Sequence, residues 1–180
     1  MLGPSDSGVA THSPQPPRAK SRVAIMSKSK ISAGLVMYRK RSGQLEVLLV
    51  HLGGPFWMKK DADAWFIPKG EINPGEDHLA AAKREFEEEN GLRSEGTFLP
   101  LGQVKHKGGK MVHAWAFEGD CEPSALRSNM FQMEWPPRSG KTQEFPEIDR
   151  AAFFTIEAAR EKMHPAEFPF LARLADLLSQ

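Results

Sequence analysis

Residues 70–92 read GEINPGEDHLAAAKREFEEENGL, and the offsets inside this stretch predict a turn, a helix and a cation site. Gly70 stands six before Glu76 and Glu76 eight before Arg84, after which Glu85, Glu88 and Glu89 follow within five residues. Positions three and four apart are neighbours on a helix surface, so these carboxylates share one flank. Asp77 is placed to cap the helix, while Leu79, Ala82 and Phe86 form its apolar stripe. Acidic runs are usually solvated faces. Here, however, like charges crowd into one turn, late in a helix whose dipole disfavours them. That arrangement calls for a positive partner. Magnesium suits it best, since it takes a few carboxylates, keeps several waters and bridges to phosphates; manganese is a substitute. The absence of clustered Cys and His argues against zinc.

The segment resembles the Nudix box, G-x5-E-x7-R-E-U-x-E-E-x-G-U with U an apolar residue, and meets it at every fixed position, Phe86 being the loosest fit. The resemblance implies an α/β fold, a Nudix-type α/β/α sandwich with a mixed β-sheet, over residues 31–180. It also implies hydrolysis of a phosphoanhydride bond. Glu85, Glu88 and Glu89 are then the metal ligands, with the carbonyl of Gly70 or Lys69 completing the shell. Gly70 lets the turn pass close to the metal, where a side chain would obstruct it. Arg84 is better placed to orient a carboxylate than to bind substrate, and the resemblance makes Glu76 its partner. The general base is a box glutamate or a later one. Glu147 is the first later candidate and Glu144 the second.

Composition is compatible with this reading without suggesting it. The chain has 180 residues, 40% hydrophobic and 26% charged, which is ordinary for one globular domain. A formal net charge of +1 argues against a protein that works mainly by coating nucleic acid. The single cysteine, Cys121, cannot form an internal disulfide, so the fold needs no oxidising compartment. No apolar run is long enough to cross a bilayer, and a cytoplasmic monomer or homodimer is expected. Residues 1–30 mix Pro, Ser and Gly with Arg18, Lys20, Arg22, Lys28 and Lys30, and are expected to be a disordered basic tail. The tail is either a functional arm or, if Met26 is the true start, no part of the native protein.

Beyond the box, residues 32–38 and 45–52 predict two strands joined at Gly43, and 65–68 a short strand feeding the box. Residues 101–106 and 111–117 flank Gly108-Gly109, a hairpin turn. The stretch 118–145 is expected to be an irregular lid or substrate loop. Thr155 caps a helix that His164-Pro165 stops, and a last helix from about Glu167 carries Phe170, Leu171, Leu174, Leu177 and Leu178 toward the core.

Phosphate chains need cations, and bases need flat partners. Lys69, Lys59 and Lys105, with Lys60, Lys107 and Lys110, are the candidate phosphate contacts, and Trp65, Trp57, Trp115, Trp135 and Tyr38 the candidate stacking residues, at least two of them expected in the core. The string Trp65-Phe66-Ile67-Pro68-Lys69-Gly70 is similar to dinucleoside polyphosphate hydrolases. Ile72-Asn73-Pro74-Gly75-Glu76 is similar to bacterial RNA pyrophosphohydrolases. A diadenosine polyphosphate is the leading expected substrate, with damaged nucleoside triphosphates or an RNA 5′-triphosphate end as alternatives. A non-catalytic nucleotide sensor is the alternative from another class.

Overall fold

The computed structural model describes residues 31–180. The tail expected at 1–30, with its alternative start at Met26, lies outside the described residues. Two long strands, β1 (Ile31–Arg41) and β2 (Gln44–Leu52), form the predicted hairpin. Ser42 and Gly43 turn it at φ of 50° and 77°, the left-handed pair that matches strand twist. The two strands pair only near this turn, Tyr38 opposite Val47 and Arg41 opposite Gln44. Farther along they diverge, and the segment holding β3 (Trp65–Phe66) and β4 (Lys69–Glu71) enters the gap. There β3 pairs with Val50 and His51 of β2, and β4 with residues 32–34 of β1. This wedge carries the Pro-Lys-Gly string to the edge of helix α1 (His78–Asn90).

The remaining strands complete a seven-stranded mixed sheet. The predicted hairpin around Gly108-Gly109 is β5 (Leu99–Lys105) and β6 (Met111–Glu118), and β6 runs parallel to β1. Strand β9 (Ile148–Thr155) lies antiparallel to β2. Helix α1 covers one face through Ala82, Phe86, Leu35, Leu48 and Phe117. Helices α2 (Ile156–Lys162) and α3 (Phe168–Leu178) cover the other, through Met163, Phe170, Leu171 and Leu174 against Val36 and Leu49. The result is the expected α/β/α sandwich. Leu177 departs from its expected role, being 42% exposed, because the stripe on α3 is narrower than its leucines suggest.

Local chemistry sets the helix ends. Asp77 accepts a hydrogen bond from the Ala80 N–H at 3.0 Å, and Gly91 closes α1 in a left-handed conformation with its N–H on the Glu87 carbonyl. Thr155 caps α2 by accepting from the Ala158 N–H.

The stretch 118–145 is more regular than expected. A 3-10 turn at Pro123–Ala125 is followed by a hairpin, β7 (Met130–Glu134) and β8 (Thr142–Pro146), which forms its own two-stranded sheet. Phe131 and Met133 of β7 are half-buried while Met130, Gln132 and Glu134 are exposed. That period of two marks a strand with one wet face, and it is present in the sequence. Among the described residues, no helix is long and apolar enough to cross a membrane.

Candidate active site

The first turns of α1 pack against the sheet, and its carboxylate flank faces the wedge. Arg84 organises that flank. Its Nε and Nη2 donate to the two carboxylate oxygens of Glu76 at 2.8 and 3.0 Å, a bidentate clamp. Its Nη1 donates to Glu85 at 2.7 Å and reaches Glu88 at 3.3 Å, and Nη2 also donates to the Glu71 carbonyl. The Arg84 hydrogen bonds hold the Glu76 carboxyl down at about 2, with the Asn73 N–H assisting. Every donor of Arg84 named here serves a protein group, so it ties the loop to the helix.

A cleft of about 310 Å³ opens between β4, α1 and the start of β9, with Lys69, Gly70, Glu85, Glu89 and Glu147 on its walls. Gly70 and Glu85 are in very close approach. A Cβ on residue 70 would stand 1.9 Å from Glu85 Oε2, so only glycine leaves that carboxylate its place. The obstructing atom is the end of a flexible side chain, and Gly70→Ala is expected to fold while driving Glu85 out of the cleft. We expect turnover to fall by at least about tenfold. Circular dichroism alongside the rate measurement checks this; an unchanged rate in the alanine variant would refute it.

Glu89 reaches the cleft with Oε2 accepting the Lys69 N–H at 3.1 Å. Burial pushes its carboxyl up to about 8, and the neighbouring Glu85 and Glu147 add to the rise against the pull of Lys69. Burial likewise raises Glu85. Glu147 joins the same cleft from the β8–β9 junction. Its carbonyl accepts the Gly53 N–H at 2.9 Å and its own N–H donates to the Asn129 carbonyl at 2.8 Å, so the backbone beneath it is fixed from two sides.

Among the described residues, no three His, Cys, Asp or Glu side chains stand together as a ready-made metal cage. What the cleft offers is oxygen: the carboxylates of Glu85, Glu89 and Glu147, on walls shared with Gly70. Two of these carboxyls are shifted toward their neutral forms by burial and mutual repulsion, so a divalent cation would supply charge the site lacks. A hard ion that retains waters fits such a donor set.

The other expected residues distribute unevenly. Lys69 lines the cleft. Glu88 does not line it; its side chain is 52% exposed and it sits beside Arg84. Lys59 and Lys105 are exposed and lie outside the cleft walls. Trp65 is 4% exposed. Its ring packs edge-on against Phe154 and His51 and its Nε1 donates to Asp61, so it is a core residue with no open face for a base.

Residues distant in sequence complete the setting. Glu167, fully buried at the start of α3, accepts the Ile67 N–H at 3.1 Å. Lys69 Nζ approaches its other oxygen at 2.8 Å and His106 Nε2 at 3.0 Å. Burial opposes ionisation of Glu167, but Lys69, His106 and the Ile67 N–H outweigh it and bring the carboxyl down to about 2. His51, also fully buried, lies between the Asp149 carboxylate and the Lys60 carbonyl, each at 2.6 Å, and ties the 53–64 loop to β9. Neither Glu167 nor His51 belongs to a local motif, and no signal short of the tertiary pairing identifies them.

Comparison with known proteins agrees with the fold and the family resemblance. The NUDIX domain profile matches residues 28–174. Over 64 residues the chain is 42% identical to an asymmetrical bis(5′-nucleosyl)-tetraphosphatase of Caenorhabditis elegans, covering 36% of this chain and 42% of that protein. Over 61 residues it is 41% identical to an RNA pyrophosphohydrolase of Bradyrhizobium diazoefficiens, covering 34% of this chain and 30% of that protein. The matched part is thus under half the length of either relative. Among solved structures, a C. elegans Ap4A hydrolase in a binary complex superposes with a TM-score of 0.58 at 25% identity, over 82% of this chain and 98% of that one. With the domain profile spanning most of its length, this chain belongs to the Nudix family.

Proposed function

We propose that this protein hydrolyses a phosphoanhydride bond in a nucleoside polyphosphate, with a diadenosine polyphosphate as the leading substrate and magnesium as the working ion. The observation that carries this reading is the cleft where Glu85, Glu89, Glu147 and Gly70 meet beside Lys69. The likeness to a tetraphosphatase over 64 residues and to an Ap4A hydrolase over most of the fold supports the choice of substrate.

When bound, divalent ions polarise phosphate oxygens, acidify a coordinated water and offset charge on the leaving group. Glu85, Glu89 and the Gly70 carbonyl would hold them, with Glu88 available at the rim. Arg84 keeps Glu85 oriented while the Glu76 clamp holds the guanidinium still. Lys69 fixes this wall from behind, its ammonium held by the buried Glu167 while its backbone N–H holds Glu89. Water attacks phosphorus in line; the new P–O bond forms as the bridging P–O bond breaks and the leaving phosphate departs with its electron pair. A carboxylate takes the water's proton. Glu147 suits that task because its backbone is fixed while its side chain is exposed at the cleft.

Incubation with magnesium and a panel of diadenosine polyphosphates, nucleoside triphosphates and triphosphorylated RNA, with products identified by mass, tests the proposal. We expect a dinucleotide to yield two mononucleotides and EDTA to abolish the reaction. A monophosphate plus pyrophosphate from triphosphates, or pyrophosphate from RNA ends, would favour the second reading, which the RNA pyrophosphohydrolase likeness supports. Metal-dependent binding with no hydrolysis of any compound would mean a nucleotide sensor.

A further inference from the structure

A second cleft, of about 410 Å³, opens beside the first. One wall is the 53–57 segment with Phe56 and Trp57; the other is β7, with Phe131 and Met133. Leu52 and Glu147 line both clefts, so the two are continuous. Their linings differ sharply in chemistry. The glutamate cleft sets Lys69, Glu85, Glu89 and Glu147 among apolar residues such as Phe66 and Ile148, whereas among the described residues Glu147 is the one ionisable group lining the second, which is otherwise aromatic, aliphatic and glycine.

The aromatic rings here are arranged as walls. Phe131 tilts against Phe145 with ring centroids 6.0 Å apart, and its edge lies over Gly54, where an added Cβ would meet Cζ at 2.9 Å. Trp57 stands edge-on to Phe66 at 5.6 Å, and Phe56 edge-on to Trp135 at 5.6 Å. The loop and the hairpin therefore brace each other while leaving a slot between them. Yet apolar surface remains uncovered: Phe56 is 59% exposed, Met58 51% and Met130 54%. An apolar slot that leaves Phe56 exposed beside a carboxylate-bearing cleft suits a ligand with a flat apolar end and a charged end.

We propose that this slot is the nucleobase subsite, holding the base of the nucleoside whose phosphate chain lies along the glutamate cleft. The assignment rests on the hydrolase reading for the phosphate position, and extends it by placing the base between the 53–57 segment and the β7–β8 hairpin. Of the expected stacking residues it retains Trp57, drops Trp65, whose ring is sealed in the core, and adds Phe56 and Phe131. Stacking on such rings tolerates any base, since every base has a flat face.

Calorimetric titration with AMP and with ribose 5-phosphate, each in magnesium, tests the subsite in the wild type, Phe56→Ala and Phe131→Ala. The high exposure of Phe56 means its truncation spares the fold, which keeps the test valid should Phe131→Ala disturb the hairpin. We expect AMP to bind more tightly than ribose 5-phosphate to the wild type. Both variants should lose at least about tenfold in AMP affinity while their affinity for ribose 5-phosphate is unchanged. Equal wild-type affinities for the two probes, no measurable AMP binding, or full AMP affinity in both variants would overturn the subsite. The titrations need no turnover. A protein that binds AMP through Phe56 and Phe131 yet hydrolyses nothing in the substrate panel would retain the subsite and lose the hydrolase reading.

Discussion

Glu89→Gln is expected to lower turnover by about a hundredfold to a thousandfold and to leave the fold undisturbed. The size follows from where the charge sits. Glu89 is the box glutamate that reaches deepest into the cleft, close enough to Glu85 and Glu147 to be repelled by both. A cation gripped there gains most from the charge that water screens least. The amide keeps the volume and can still accept the Lys69 N–H, so the wedge stays attached to the helix. Nor should stability suffer. Burial and two like charges disfavour the ionised carboxyl in the folded chain, and the amide removes that cost. The variant should therefore melt no lower than the wild type in the absence of metal. Glu87→Gln provides the contrast: Glu87 is exposed on α1 and does not line the cleft, and its loss should leave turnover within about twofold. Near-normal turnover in Glu89→Gln, or an equal loss in Glu87→Gln, would remove Glu89 from the machinery.

How much of this site could be read from the chain depends on how far apart its parts lie. Gly70, Arg84, Glu85 and Glu89 fall within one turn and one helix, whose geometry follows from local spacing; the clamp of Arg84 on Glu76 follows from the family resemblance rather than from spacing. Glu147, the first candidate among the later acids, lines the same cleft, whereas Glu144 does not. Lys59, Lys105 and Trp65 rest on residue type and on loop position, and neither says which way a loop lysine points or whether a tryptophan is buried. The β7–β8 hairpin was legible in principle from the alternation of Phe131 and Met133 with polar neighbours, but the surrounding Pro and charged residues masked it. Glu167 and His51 were beyond reach. Ile67, a partner of Glu167, and Asp149, a partner of His51, lie 100 and 98 residues away from them, and only the folded chain brings them together.

Glu167 also carries the largest expected effect on stability. Glu167→Gln should destabilise the protein by about 3 kcal/mol at neutral pH, because it strips the counter-charge from groups left in place. The Lys69 side chain is only 14% exposed, so its ammonium cannot simply turn to bulk water. His106, stacked on His164 at 5.1 Å, is equally confined. The amide can still accept the Ile67 N–H, which isolates the loss of charge from the loss of shape. The pH dependence has a definite sign. The carboxyl ionises near 4.5 when unfolded and at about 2 when folded, so its stabilisation is complete above about 4.5 and disappears as pH falls from there toward 2. Glutamine does not titrate. The gap between wild type and variant should therefore be widest at neutral pH, and by pH 3 it should have closed in large part. Urea denaturation at pH 7 and pH 3 measures both gaps. If they were equal, Glu167 would matter for packing alone; if closure occurs as expected, the buried charge is what fixes Lys69, and with it the strand whose backbone holds Glu89 in the cleft.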